Sequence, residues 1–170
     1  MTDEIVTHKL FVCIPSNLAT NILIEKVGAD STQRTIQRLG TKTMKVLRGV
    51  EDLKAYRNNL NNTATAADLA VILQAIAEGR SVSTEADNQM VDVLAEQEFN
   101  EMIPAGLPSG TRVAHKTGQI SSIHHDAGIV YPNQGEPYVL VILIEGIEND
   151  RVSANLGSQL TTAIHDILRQ

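Results

Sequence analysis

The residues of this chain best suited to chemistry are Lys116, Thr117 and Gly118, set in the run Val113-Ala114-His115-Lys116-Thr117-Gly118-Gln119-Ile120. A cation, a hydroxyl and a bare stretch of backbone on one strand can hold a carboxylate by charge and hydrogen bond, and glycine lets the ligand approach the main chain. A second cluster, His124-His125-Asp126, invites a metal assignment. Adjacent strand residues point to opposite faces, so His124 and His125 cannot easily share an ion. His124 and Asp126 could face the same way, but two ligands do not make a site. His8, His115 and His165 show no ligand spacing with one another, so no metal is expected. Cys13 is the only cysteine, which excludes an internal disulfide, and between Val12 and Ile14 it reads as core. The glycines form neither a phosphate loop nor a dinucleotide fingerprint, and no cofactor is expected.

These residues need elements to position them. At 170 residues, with 42% hydrophobic and 20% charged, the chain suits one globular domain. Aromatics are 3%, so the core must be built from Leu, Ile, Val and Ala. A formal charge of -6 with no basic stripe argues against nucleic acid as a partner. Met1-Thr2-Asp3-Glu4 lacks the basic start and apolar core of a secretion signal. The run Tyr138–Ile144 is far too short to span a bilayer, so a soluble chain is expected, with no membrane partner.

Helices are expected over Leu18–Val27, closed by Gly28, and over Ser31–Leu39, closed by Gly40. Leu18, Ile22 and Val27 are the core-facing residues of the first. Residues 41–62 read mostly as loop. Thr65-Ala66-Ala67-Asp68 resembles a capping box opening a helix through Ala77, with Leu69, Ile72, Leu73 and Ile76 at helical spacing. Another helix runs from Glu85 to about Phe99. Past Pro104, Gly106, Pro108 and Gly110 come strand candidates at Thr111–Thr117, Asp126–Tyr131 and Tyr138–Glu145, the last two joined by a turn at Pro132-Asn133-Gln134-Gly135. The apolar run of the third suggests a central strand buried on both faces. A final helix over Arg151–Leu168 offers Leu156, Leu160, Ile164 and Leu168 as a stripe for the sheet. The expected class is α+β, a helical region over about 14–105 followed by a narrow antiparallel sheet and closing helix over about 106–170. A narrow sheet with so apolar a strand calls for missing neighbours or a partner copy.

With these residues in place, Ser16-Asn17-Leu18-Ala19-Thr20-Asn21-Ile22-Leu23 resembles the Ser-x-Asn helix start of class A β-lactamases and their penicillin-recognising serine-hydrolase relatives. Lys116-Thr117-Gly118 resembles their carboxylate-binding strand. The continuation Ile123-His124-His125-Asp126-Ala127-Gly128-Ile129-Val130 is also similar to theirs. The resemblance runs from about Ile14 to the C-terminus and implies an incomplete β-lactamase-like fold. It implies that Lys116 and Thr117 bind a substrate carboxylate, that Asn17 holds a substrate amide, and that the main-chain N–H of Gln119 is half of an oxyanion hole. The implied ligand is a β-lactam or a D-alanyl peptide.

The sequence departs from that family at three points. The nucleophile motif Ser-x-x-Lys is absent, since the residues three positions before Lys9, Lys26, Lys42, Lys45, Lys54 and Lys116 include no Ser or Thr. Pro15 stands where the Ser-x-Asn serine would pass a proton to the leaving nitrogen. The deacylating Glu of an Arg-x-Glu loop has no equivalent: Arg48-Gly49-Val50-Glu51 is one residue too long, and Arg57-Asn58-Asn59 has no carboxylate. The isolated chain is therefore expected to be inactive, either completed by a missing N-terminal half or a non-catalytic, self-associating remnant.

Overall fold

The computed structural model describes residues 17–50 and 52–169, with side chains from Thr20 onward. Five helices come first: α1 (Asn17–Val27), α2 (Ala29–Leu39), the short α3 (Leu53–Arg57), α4 (Ala66–Ala77) and α5 (Thr84–Leu94). A 3-10 turn at Pro104–Gly106 leads to β1 (Arg112–Ile120), β2 (Ile123–Tyr131), β3 (Tyr138–Glu145) and α6 (Asp150–Leu168).

Polar residues fix where the helices begin. Thr65 caps α4 by accepting the Asp68 N–H at 3.1 Å, as the capping-box pattern predicts. The Asp68 carboxylate does not return to the cap backbone. It reaches across to the Lys42 N–H at 2.7 Å and the Thr43 N–H at 3.1 Å, tying α4 to the loop after α2. The Thr43 hydroxyl, then the Lys42 N–H, hold this carboxyl down at about 2 against an ordinary 3.8, outweighing the upward push of burial. A depressed carboxyl stabilises the fold above its unfolded value and loses that contribution as pH falls. The urea midpoint should therefore drop as pH falls from 3.8 towards about 2, and Asp68→Asn should be weaker at neutral pH and flatter across that window. An unchanged slope in the variant would remove Asp68 from the acid response. Asp87 plays a similar part before α5. Burial pushes its carboxyl up, but bonds from the Ser81 hydroxyl and the Ser81 and Val82 N–H groups leave it below the usual range.

The stretch 41–62 is more ordered than its sequence suggests. Lys45 and Thr63 exchange backbone bonds at 2.8 and 3.0 Å. Asn62 clasps the turn by accepting the Leu47 and Arg48 N–H groups and donating to the Arg48 carbonyl. Glu85–Phe99 is not one helix: α5 ends at Leu94, and the Gln97 side chain accepts the N–H groups of Glu98 and Phe99 in the turn that follows. Two of the three residues expected on the core face of α1 are corrected, with Ile22 and Val27 about half exposed, while the side chain of Leu18 lies outside those described. Asn21 instead ties α1 to Val50 through both its amide atoms.

The sheet is antiparallel, in the order β1-β2-β3. Strands β1 and β2 are longer than expected because Ser121 and Ser122 alone turn between them, with Ser121 at φ 45°. Both faces are covered. Val113, Val130, Leu140, Ile142 and Ile144 join Met102 and Ile103 under α6, while Ala114 and Ile129 meet Leu73 of α4 and Val91 of α5. Among the described residues β3 is an edge strand, not a central one. Its apolar run matches the cover it receives on both faces.

The stripe expected to seat α6 on the sheet is on the wrong face. Leu156, Leu160 and Leu168 are exposed; of that set only Ile164 packs against the core. The buried positions are Ser153, Gly157, Thr161 and His165. Small side chains win because the helix backbone sits close to its neighbours. A Cβ on Gly157 would stand 2.5 Å from Met102 Cε, and one on Gly106 would stand 2.2 Å from the Ser158 carbonyl oxygen.

Candidate functional site

Lys116, Thr117, Gly118 and Gln119 all lie on β1, opposite Ala127, Asp126, His125 and His124 of β2. Strand alternation puts Lys116 on the same face as Ala114, towards α4 and α5, and Thr117 on the face of Val113, towards α6. A ligand that engages both side chains must therefore lie along the outer edge of β1, which has no strand beyond it among the described residues. Gly118 leaves that edge open, since an added Cβ there would meet nothing within 4 Å. The Lys116 ammonium is half-buried and folds along the strand, donating to the Thr117 carbonyl at 2.6 Å. A cation drawn onto the strand beside a hydroxyl and exposed backbone is suited to a carboxylate lying parallel to the edge.

Asn17 opens α1. Its side chain lies outside the described residues, as do Pro15, Ser16, Cys13, His8 and Glu51. The Arg48 segment is occupied locally: its guanidinium donates to the Gly49 carbonyl at 2.9 Å and lies 5.6 Å from the Tyr56 ring centroid.

His124 and His125 do face opposite ways. His124 Nδ1 is 2.7 Å from the Ser153 hydroxyl on α6, and Ser153 donates onward to the Asp150 carbonyl. His125 Nδ1 accepts the Ile144 N–H at 3.1 Å. Among the described residues no three His, Cys, Asp or Glu side chains converge as a metal site. No helix there is long and apolar enough to cross a membrane.

The partner of Asp126 is His115, a pairing that spacing arguments had missed. Their side chains meet at 2.8 Å, and both residues are almost completely buried. The hidden signal was the register. A two-residue turn at Ser121-Ser122 puts Asp126 across from Thr117, one diagonal step from His115.

Comparison with known proteins places this geometry. Residues 7–168 match the model of the Beta-lactamase enzyme family. A β-lactamase of Bacillus licheniformis is 28% identical over 131 residues, 75% of this chain and 43% of that protein. Beta-lactamase 3 of Bacillus cereus is 28% identical over 129 residues, covering 74% of this chain and 41% of its own length. Among solved structures, a β-lactamase from Sphaerobacter thermophilus superposes with a TM-score of 0.89 at 27% identity, covering 98% of this chain and 63% of that one. PBP-A superposes at 0.86, also 27% identical, over 96% of this chain and 60% of its own. The chain thus spans less than half the length of these curated relatives. With a family match across nearly all of its sequence and a fold shared with solved members, the chain belongs to the β-lactamase enzyme family.

Proposed function

We propose that this chain carries the carboxylate-binding strand of a penicillin-recognising acyl-transfer site whose nucleophile comes from a Ser-x-x-Lys segment outside its own sequence. The observation that carries this is the open outer edge of β1, with Lys116, Thr117 and Gly118 on it. In this reading Lys116 and Thr117 hold the carboxylate of a β-lactam or D-alanyl peptide. Asn17 takes the substrate amide, and the Gln119 N–H is one of two oxyanion donors. Support comes from a variant of PBP-A solved as an acyl-enzyme with penicillin G. No lysine here is preceded at the third position by Ser or Thr, and Pro15 cannot pass a proton, so the chain alone forms no acyl-enzyme.

Mass spectrometry after incubation with a fluorescent penicillin tests this, with and without an added Ser-x-x-Lys-bearing segment. A covalent adduct only when the segment is present is the expected result. An adduct on the chain alone would mean that one of its own serines is activated. No adduct in either sample would leave the strand without a catalytic role.

A second reading, self-association, is favoured by one region of the surface. Val152, Leu156, Leu160 and Ile167 are exposed on one flank of α6. The opposite flank meets the 3-10 turn, where the Thr162 hydroxyl donates to the Gly106 carbonyl at 2.8 Å. Among the described residues β3 has no strand on its outer side. Two copies joined through β3 would extend the sheet and bring the α6 stripes together. Light scattering at micromolar concentration should give a dimer that Leu156→Glu with Leu160→Glu dissociates. A monomeric wild type would remove this reading.

A further inference from the structure

The ring of His115 is 1% exposed and meets an acceptor at each nitrogen. Nδ1 lies 2.8 Å from Asp126 Oδ1, and Nε2 lies 3.2 Å from Asn100 Oδ1. The Asn100 amide cannot turn round freely, because its Nδ2 donates to the main-chain oxygens of Gln97 at 3.2 Å and Glu98 at 3.1 Å. Neutral imidazole has a single N–H, so two acceptors call for protons on both ring nitrogens, with Asp126 answering the charge. The other Asp126 oxygen accepts the Ile103 N–H at 3.0 Å. The fold makes room for this ring, since a Cβ on Gly128, directly across from His115, would stand 2.5 Å from His115 Cβ.

We propose that His115 is a positioning residue for the carboxylate-binding strand, acting as a two-donor strut between Asp126 and Asn100. This rests on the reading of β1 given above. An edge strand is held by backbone ladder bonds from one side only, and its local opening costs less than that of a central strand. His115 precedes Lys116, and Asp126 sits opposite Thr117, so the network grips β1 at the positions beside both. Through Ile103 and Asn100 it also anchors them to the segment before the 3-10 turn. Strand alternation puts the Lys116 side chain on the face of β1 opposite to that of His115, and its ammonium donates to the Thr117 carbonyl.

The test uses the chain with 15N-labelled histidine. Long-range 1H–15N spectra at neutral pH should show both His115 ring nitrogens protonated, a signature that mere space-filling does not require. In His115→Gln, amide exchange over 115–119 should rise at least about tenfold while α4 and α6 are unchanged. Amide shifts of Lys116, Thr117 and Gln119 on adding benzylpenicillin should be lost in the variant although Lys116 remains. Asn100→Ala removes one exposed acceptor and should reproduce the local exchange effect, which decides the matter if His115→Gln fails to fold. One unprotonated ring nitrogen in the wild type would overturn the proposal, as would exchange that is unchanged or uniformly faster across the fold. A wild type that shows no shifts with benzylpenicillin would overturn the substrate reading instead, leaving the strut to be judged on the ring nitrogens and exchange.

Discussion

Gly106→Ala should lower the melting temperature by roughly 6–12 °C. The added methyl would stand 2.2 Å from the Ser158 carbonyl oxygen and 2.6 Å from Thr161 Cβ. Neither neighbour can swing aside, because one is helix backbone and the other is a fully buried side chain. Relief requires α6 to move off the 3-10 turn, which loosens the bond from Thr162 to Gly106 and the contact of Met102 beneath Gly157. Overpacking of this kind costs about 1–3 kcal/mol, and a backbone obstacle belongs at the upper end. For a chain of this size each kcal/mol lowers the midpoint by roughly 2–4 °C. Gly118→Ala is the control: its methyl meets nothing within 4 Å, so its midpoint should shift by no more than about 2 °C. Equal midpoints in the two variants, read by calorimetry, would contradict the close approach of α6.

Lys116→Ala should slow penicillin acylation by roughly 10- to 100-fold once the nucleophile segment is supplied, the worth of one charge-assisted hydrogen bond to a carboxylate. The ammonium is already engaged with the Thr117 carbonyl at 2.6 Å, so a substrate must draw it off that oxygen, and the effect belongs below the upper limit. Thr117→Val removes a neutral partner and should slow acylation by about tenfold or less. Both variants should keep the melting temperature of the parent, because neither side chain is part of the buried core. Stopped-flow acylation with a chromogenic cephalosporin measures the difference. Rates unchanged by Lys116→Ala would remove β1 from substrate recognition.

The candidate strand was legible because Lys-Thr-Gly after a turn needs only local sequence. The α+β order and the start of α4 were legible for the same reason: Thr65 caps the helix that its type and spacing imply. The seating of α6 was not. A leucine stripe is the usual sign of a buried face, but here the close approach of Gly157 and Gly106 reserves that face for Ser153 and Thr161. The cover of β3 on both faces was legible from its apolar run, but composition alone does not set its place in the sheet, which among the described residues is an edge. The link between His115 and Asp126 depended on knowing the turn to the residue. Two serines do not announce a tight hairpin as Asn-Gly would.

The strand order has a consequence for how the molecule comes into being. Each ladder joins strands adjacent in sequence, across Ser121-Ser122 in one case and residues 132–137 in the other. Hairpins of such short reach close on the order of microseconds. The three-stranded meander can therefore form early from contacts local in the chain, whereas its second face is completed only when α4 and α5 bring Leu73 and Val91 onto Ala114 and Ile129.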